Sequence, residues 1–161
     1  MTTDAQTIAF LDQEDARLAR TIRKHRWAVQ YVMRGEDSTE PPFGYTVGLF
    51  GLDHPELVAV GLDYGDACGL LNKVGRMVRD GRNLLPGEVL FDDDGTPVIT
   101  VEQLPNPAEV IFSANRFYRR PDEFSVPAYQ LTWALDGGLF PWDEGYPCGP
   151  DCQPRPGTWR A

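Results

Sequence analysis

The chain has few of the residues that usually carry chemistry. Its 161 residues include three cysteines and two histidines. It contains no Gly-x-Ser-x-Gly nucleophile turn and no glycine-rich phosphate loop between a strand and a helix. An odd number of cysteines at low density is typical of a protein kept in a reducing compartment. We therefore expect a cytoplasmic protein in which Cys68 is a small buried side chain.

Positive charge and long apolar runs are also scarce. Fifteen lysines and arginines stand against 24 acidic residues, which gives a net charge of -9. A field of that sign repels phosphate backbones and anionic lipid headgroups. No run reaches the ~18 apolar residues that a membrane span needs, and the first residues form no charged leader. Nucleic acids and membranes are therefore not expected as partners.

The order of predicted elements favours one α+β domain over residues 1–161. Residues 1–7 are expected to be disordered, and residues 137–161, rich in proline and glycine, to form an irregular tail. Helices are predicted over 8–24, from an N-cap at Asp63 to Gly81, and over 113–120. Strands are predicted over 27–34, 43–50, 57–62, 88–91, 98–101 and 128–135. This order is typical of a mostly antiparallel sheet with helices packed on one face.

The two motifs with metal-ligand residues are incomplete. Cys148 and Cys152 could form half of a zinc site or a disulfide. A closed zinc site needs four ligands, and besides carboxylates only Cys68 and the two histidines remain. The run Asp92-Asp93-Asp94-Gly95 has neither glycine nor a distal glutamate at the positions that a calcium loop requires. It predicts a turn. We expect no metal and no cofactor, and we interpret the cysteine pair as free thiols or a disulfide.

The segment with the most site-like composition is Phe43-Gly44-Tyr45-Thr46-Val47-Gly48-Leu49. Glycine inside a strand indicates a bulge, or a close approach by other backbone or by a ligand. His54 and Glu56 follow, and the Glu56 carboxylate could orient the imidazole or titrate beside it. The alternative for His54 is a turn histidine that caps the next strand or faces solvent. His25, at the end of a helix that favours a cation, is interpreted as structural.

Large aromatic rings form a second candidate cluster. They are Tyr45, Trp133, Phe140 and Trp142. Such rings can close a sheet edge with their polar atoms hydrogen-bonded. The alternative is an aromatic pocket in which Gln130, Asp136 and His54 orient a ligand, as in many small-molecule sites.

Five motifs follow one another along the chain. They are Tyr45-Thr46-Val47-Gly48-Leu49, His54-Pro55-Glu56-Leu57, Gln130 with Trp133, Phe140-Pro141-Trp142, and Gln153-Pro154. This ordered set resembles an uncharacterised bacterial family catalogued as a domain of unknown function, over nearly the whole chain from Trp27. The resemblance implies a stand-alone cytoplasmic bacterial domain. It brings no reaction, cofactor or catalytic residue.

Two hypotheses about function follow. The preferred one is a non-catalytic module that binds a small molecule or a protein partner at a surface formed by Tyr45, His54, Trp133 and Trp142. The other is a small hydrolase or transferase in which His54 is the general acid or base, oriented by Glu56 or Asp136. An immunity-like regulatory protein is a third alternative, which the acidic charge permits.

Overall fold

A six-stranded sheet forms the middle of the protein, seen in a computed structural model that describes residues 4–36, 40–149 and 152–161. Helices α1, α2 and α3 span Ala5–His25, Tyr64–Arg79 and Phe112–Phe117. Strands β1 to β6 span Ala28–Val32, Phe43–Val47, Glu56–Val60, Val89–Phe91, Pro97–Gln103 and Ala128–Trp133. Short 3₁₀ helices span Leu49–Leu52, Pro107–Glu109 and Asp122–Phe124.

The strand order confirms the predicted class. Along the sheet the order is β1-β2-β3-β6-β5-β4. Neighbouring strands pair antiparallel, except β3 and β6, which are parallel. The fold is therefore α+β with a mostly antiparallel sheet. β1 and β4 are the edge strands, and β3 and β6 lie at the centre.

The helices cover both faces of the sheet, which corrects the expectation that they share one face. On one face Leu71 of α2 belongs to a core cluster with Leu57 of β3. On the other face Ala114 of α3 and Trp159 of the tail belong to a cluster with Val58. The reason lies in β3, whose five residues are all buried. A strand that is apolar on both sides needs cover on both sides.

The helix ends follow from their caps. The Asp63 side chain accepts the Asp66 N–H at 2.8 Å, as expected of the N-cap of α2. At α1 the Asp4 side chain accepts the Gln6 N–H at 3.2 Å, so the helix begins at Ala5. Residues 4–7 thus form the cap and first turn of α1 rather than a disordered segment, and residues 1–3 lie outside the described residues. No helix in the described part of the chain is both long and apolar enough to cross a membrane.

The tail is irregular but hydrogen-bonded to β6. Within residues 137–149 and 152–161 the structure contains no helix and no strand. The Gln153 side chain nevertheless accepts the Trp133 N–H and donates to the Trp133 carbonyl, both at 2.9 Å. One side-chain amide therefore pairs with the end of β6 as a neighbouring strand would.

Candidate functional site

The buried carboxylate of Glu56 joins β2, the 3₁₀ helix after it and β3. Its oxygens accept hydrogen bonds from the backbone N–H groups of residues 48, 49 and 50 at 2.9, 3.0 and 3.1 Å. The Thr46 hydroxyl donates to the same carboxylate at 2.8 Å. N–H groups at the start of a helix have no acceptor within it, so Glu56 supplies the missing acceptors. His54 is not among the hydrogen-bond partners of this side chain.

The protonation of Glu56 is balanced between two opposing effects. Burial raises the pKa of Glu56 to about 7, while the four donated hydrogen bonds favour the charged form and act against that rise. From about pH 4.5 upwards the folded protein keeps a proton that the unfolded chain has released. This contribution to stability is therefore lost as the pH rises through about 7.

His54 is a buried structural residue on the α2 side of the sheet. It is 3% exposed, and its Nε2 accepts the Leu84 N–H at 3.2 Å. The ring proton therefore lies on Nδ1, which donates to the Pro55 carbonyl at 2.8 Å. The Tyr129 ring meets the imidazole edge-on, with centroids 5.7 Å apart. Both ring nitrogens are used within the fold, so His54 neither faces solvent nor offers a lone pair to a substrate.

We expect His54→Gln to remove part of the acid sensitivity of the protein. Burial lowers the pKa of His54. The unfolded chain therefore takes up its proton first, and stability is lost as the pH falls below the unfolded value of about 6.5. The difference in free energy of unfolding between wild type and variant should shrink as the pH falls from about 8 to 5. Chemical denaturation across that range measures it, and the opposite contribution of Glu56 cancels in the difference.

The matched control for this experiment is His25→Gln, which removes an exposed histidine from the end of α1. This variant shows how the same substitution changes the free energy of unfolding at an exposed histidine. A wild-type minus His54→Gln difference that is constant over the same pH range would contradict a neutral, buried His54.

Tyr45 and Gln130 are buried on the opposite face of the sheet. The Tyr45 phenol oxygen accepts the Ser113 N–H at 3.0 Å. The Gln130 amide donates to the Pro154 carbonyl at 2.9 Å and accepts the Trp159 indole N–H at 3.0 Å. Gln130 therefore anchors the tail, and Tyr45 anchors the start of α3.

The remaining predicted residues lie near the end of β6 and in the tail. The Trp133 indole donates to the Val60 carbonyl at 2.8 Å and so bridges β6 and β3. Trp142 is 44% exposed and stacks on Phe140, with ring centroids 4.9 Å apart. Asp136 is exposed in the turn after β6.

The structure does not bring the predicted site residues into one pocket. Tyr45 belongs to the core cluster beneath α3. His54 instead contacts Leu84 and Tyr129, which belong to the cluster beneath α2. The two clusters lie on opposite faces of the sheet, because neighbouring residues of a strand point to opposite sides. The expected aromatic and histidine pocket is therefore corrected to a set of separate structural contacts.

Two of the three cysteines are paired. Cys148 and Cys152 form a disulfide, one of the two states expected for them. Cys68 is partly exposed, which corrects its expected burial. Within residues 4–36, 40–149 and 152–161, no three His, Cys, Asp or Glu side chains lie close enough to hold a metal ion.

An open cleft of about 450 Å³ lies between the end of α1, strand β1 and helix α2. The α2 wall is a stripe of side chains at helical spacing: Tyr64, Cys68, Asn72, Arg76 and Arg79. The rest of the lining comes from Thr21, His25, Trp27, Ala28 and Val29. This volume is in the range of roughly 300–1,000 Å³ that small-molecule sites occupy.

Trp27 determines the shape of the cleft at β1. Its indole N–H donates to Asn72 Oδ1 at 2.9 Å. Its ring lies against Gly75, where an added Cβ would stand 2.9 Å from a ring carbon. Because the indole N–H requires an acceptor, it fixes the Asn72 amide with its NH₂ group turned away from Trp27.

The cleft is cationic although the protein is acidic. His25, Arg76 and Arg79 line it, and none of the described residues that line it is a carboxylate. Arg79 pairs with Asp80 at 3.2 Å, but both side chains are exposed, so the pair holds the arginine weakly. The Arg79 guanidinium also lies 5.9 Å from the centroid of the Trp27 ring. The cleft therefore presents two guanidinium groups, and in the described part of the chain the one acidic partner recorded for them is Asp80, outside the lining.

A family model described as a domain of unknown function, DUF4262, matches residues 21–147 of the chain. The chain belongs to the DUF4262 family. The match confirms the resemblance to a family catalogued in this way. No curated protein and no solved structure matches the chain. The region matched to DUF4262 includes every residue that lines the cleft.

Sequence reasoning misses this cleft because its signal lies on the polar side of α2. The apolar side of α2 is what predicts the helix, and the stripe from Tyr64 to Arg79 follows the same helical spacing. A stripe of this kind is usually a solvated face. Only the position of β1 and Trp27 beside it turns the stripe into the wall of a cleft.

Proposed function

We propose that the protein is a non-catalytic binding module that takes an anionic ligand, a small molecule or part of a protein partner, in this cleft. The observation that carries the proposal is the grouping of His25, Arg76 and Arg79, with no carboxylate among the described lining residues, in a chain of net charge -9. Ligand sites combine apolar walls with a few polar groups that fix orientation. Here the rings of Trp27 and Tyr64 supply the walls.

The proposed binding function does not involve His54 or Glu56. A hydrolase or transferase centred on His54 needs an imidazole that substrate can reach, and this ring has both nitrogens bonded inside the fold. The four donors around Glu56 likewise belong to the fold. The binding function is therefore the better supported of the two hypotheses. A cytoplasmic location and a bacterial source stay predictions from the sequence.

The double variant Arg76→Gln, Arg79→Gln is expected to weaken anion binding tenfold or more. Hydrogen bonds to charged groups contribute about 1.5–3 kcal/mol each, and the variant removes two such donors. The measurement is a titration of the ¹⁵N-labelled protein with phosphate and with succinate, followed by NMR. In the wild type, we expect shifted amide signals around Trp27 and along the cleft side of α2.

The matched control is Arg119→Gln, Arg160→Gln, which changes the net charge equally at two exposed arginines outside the cleft lining. It should bind like the wild type. If anion binding weakens equally in both double variants, the effect comes from net charge and not from the cleft. Shifts that spare the cleft would remove the cleft from the proposal.

A further inference from the structure

Strand β1 is a sheet edge whose own residues include none of the usual protective ones. It has a strand neighbour only on its β2 side. Its five residues, Ala28–Val32, include no charged residue and no proline. Natural proteins commonly place such residues on edge strands to prevent unwanted pairing with other chains. At the end of β1, Val32 is 41% exposed and Met33 is 77% exposed.

The opposite edge of the same sheet is protected. β4 has three residues, Val89–Phe91, and its register with β5 shifts between Leu90 and Phe91. Short length and a register irregularity are two of the devices that blunt a sheet edge. The open edge of β1 is therefore a local feature and not a general property of this sheet.

The cationic cleft borders the start of β1, at Ala28 and Val29, and Trp27 before it. At one end of the strand the Tyr31 and Tyr64 rings meet edge-on, with centroids 5.5 Å apart. At the other end Trp27 is bonded to Asn72. Helix α2 thus runs antiparallel to β1, so that Tyr64, Cys68 and Asn72 follow the strand while Arg76 and Arg79 lie beyond its first residue. Whatever pairs with the edge of β1 would direct every second side chain towards this α2 stripe.

We propose that the occupant of this site is an extended segment of a partner protein that pairs with the free edge of β1 and carries acidic side chains at alternate positions. The proposal rests on the function proposed above and names the class of ligand. Main-chain hydrogen bonds to β1 would supply affinity, and the carboxylates on the part of the segment that continues past Ala28 to His25, Arg76 and Arg79 would supply specificity. Charge complementarity selects an acidic segment, since Arg76 and Arg79 line the cleft and its lining within the described residues includes no carboxylate.

Charge also disfavours a second copy of this chain as the occupant. Pairing β1 with its copy antiparallel about a two-fold axis would place Arg34, which follows β1, past Ala28 of the other copy and so towards Arg76 and Arg79. The strand itself, with the sequence Ala-Val-Gln-Tyr-Val, offers no carboxylate to either stripe.

The test uses a fluorescein-labelled hexapeptide of alternating glutamate and valine, with binding followed by fluorescence anisotropy. Two further versions carry N-methyl groups on the glutamate amides or on the valine amides. Alternate N–H groups of an extended peptide point to opposite edges, so one of the two versions blocks the edge that faces β1, whichever way the peptide lies. A peptide of alternating lysine and valine tests the sign of charge. Hydrogen exchange of the amides in β1 reports pairing directly.

We expect the glutamate peptide to bind, one N-methylated version to lose affinity about tenfold or more, and exchange in β1 to slow. The lysine peptide and the Arg76→Gln, Arg79→Gln variant should not give this complex. Equal binding of both N-methylated peptides, or a free protein that is dimeric with β1 already protected, would overturn the inference. If phosphate and succinate shift the cleft signals but the glutamate peptide does not bind, the strand pairing fails and the proposed function stands. If none of the three anions binds, both fail.

Discussion

Replacing Glu56 with alanine is expected to lower the free energy of unfolding by about 3–5 kcal/mol, among the largest effects of a single substitution in this chain. The side chain is fully buried and satisfies four donors, three of them backbone N–H groups at the start of the Leu49–Leu52 helix. Alanine would leave those donors buried without an acceptor. Urea denaturation followed by circular dichroism measures the loss, at about pH 8 so that the carboxylate is charged.

Two further variants locate the source of the effect. Glu56→Gln keeps the shape but turns an NH₂ group towards an N–H donor, and we expect a loss of about 1–3 kcal/mol. Glu123→Ala removes an exposed glutamate and should change stability by less than about 0.5 kcal/mol. A Glu56→Ala loss as small as that of Glu123→Ala would mean that the four hydrogen bonds do not hold the turn.

Gly48→Ala is expected to cost about 2–4 kcal/mol, because both the conformation and the space at residue 48 exclude a side chain. Gly48 has φ +134°, a region that residues with a Cβ rarely adopt. An added Cβ would lie 2.4 Å from the Arg26 carbonyl oxygen and 2.7 Å from the Trp27 Cα, so the clash is with backbone. Thermal unfolding of the variant measures the loss.

The matched substitution is Gly69→Ala in α2, where an added Cβ meets no atom within 4 Å. There alanine should raise stability by up to about 1 kcal/mol, because it favours the helix. The two substitutions make the same chemical change with opposite expected signs. A Gly48→Ala variant as stable as Gly69→Ala would contradict the close approach of the two backbone segments.

The secondary structure could be predicted because its signals are local. The Asp63 cap, the apolar spacing along α2 and the Asp-Gly turn between β4 and β5 each depend on residues close in sequence. The glycine at position 48 correctly indicated a close approach. Local pattern could not decide whether backbone or ligand approaches, and the structure places the Arg26 and Trp27 backbone there.

The site could not be predicted because it depends on which elements are neighbours. His54 and Glu56 are two residues apart, yet their partners are Leu84 on one side and the residue 48–50 turn on the other. Their closeness in sequence suggests a catalytic pair, but each side chain is hydrogen-bonded to a different backbone segment. The cleft, in turn, exists only because β1 is the strand at the edge beside α2.

The anchored tail contributes to the core although it lies outside the family match. The DUF4262 match stops at residue 147. Trp159, which is 5% exposed, meets the Phe43 ring with centroids 5.0 Å apart, and it also donates to Gln130. A fragment cut at the family boundary would uncover the Phe43 ring and leave the Gln130 amide without partners inside the protein. The packed core therefore includes Trp159, beyond the part of the chain that the family model matches.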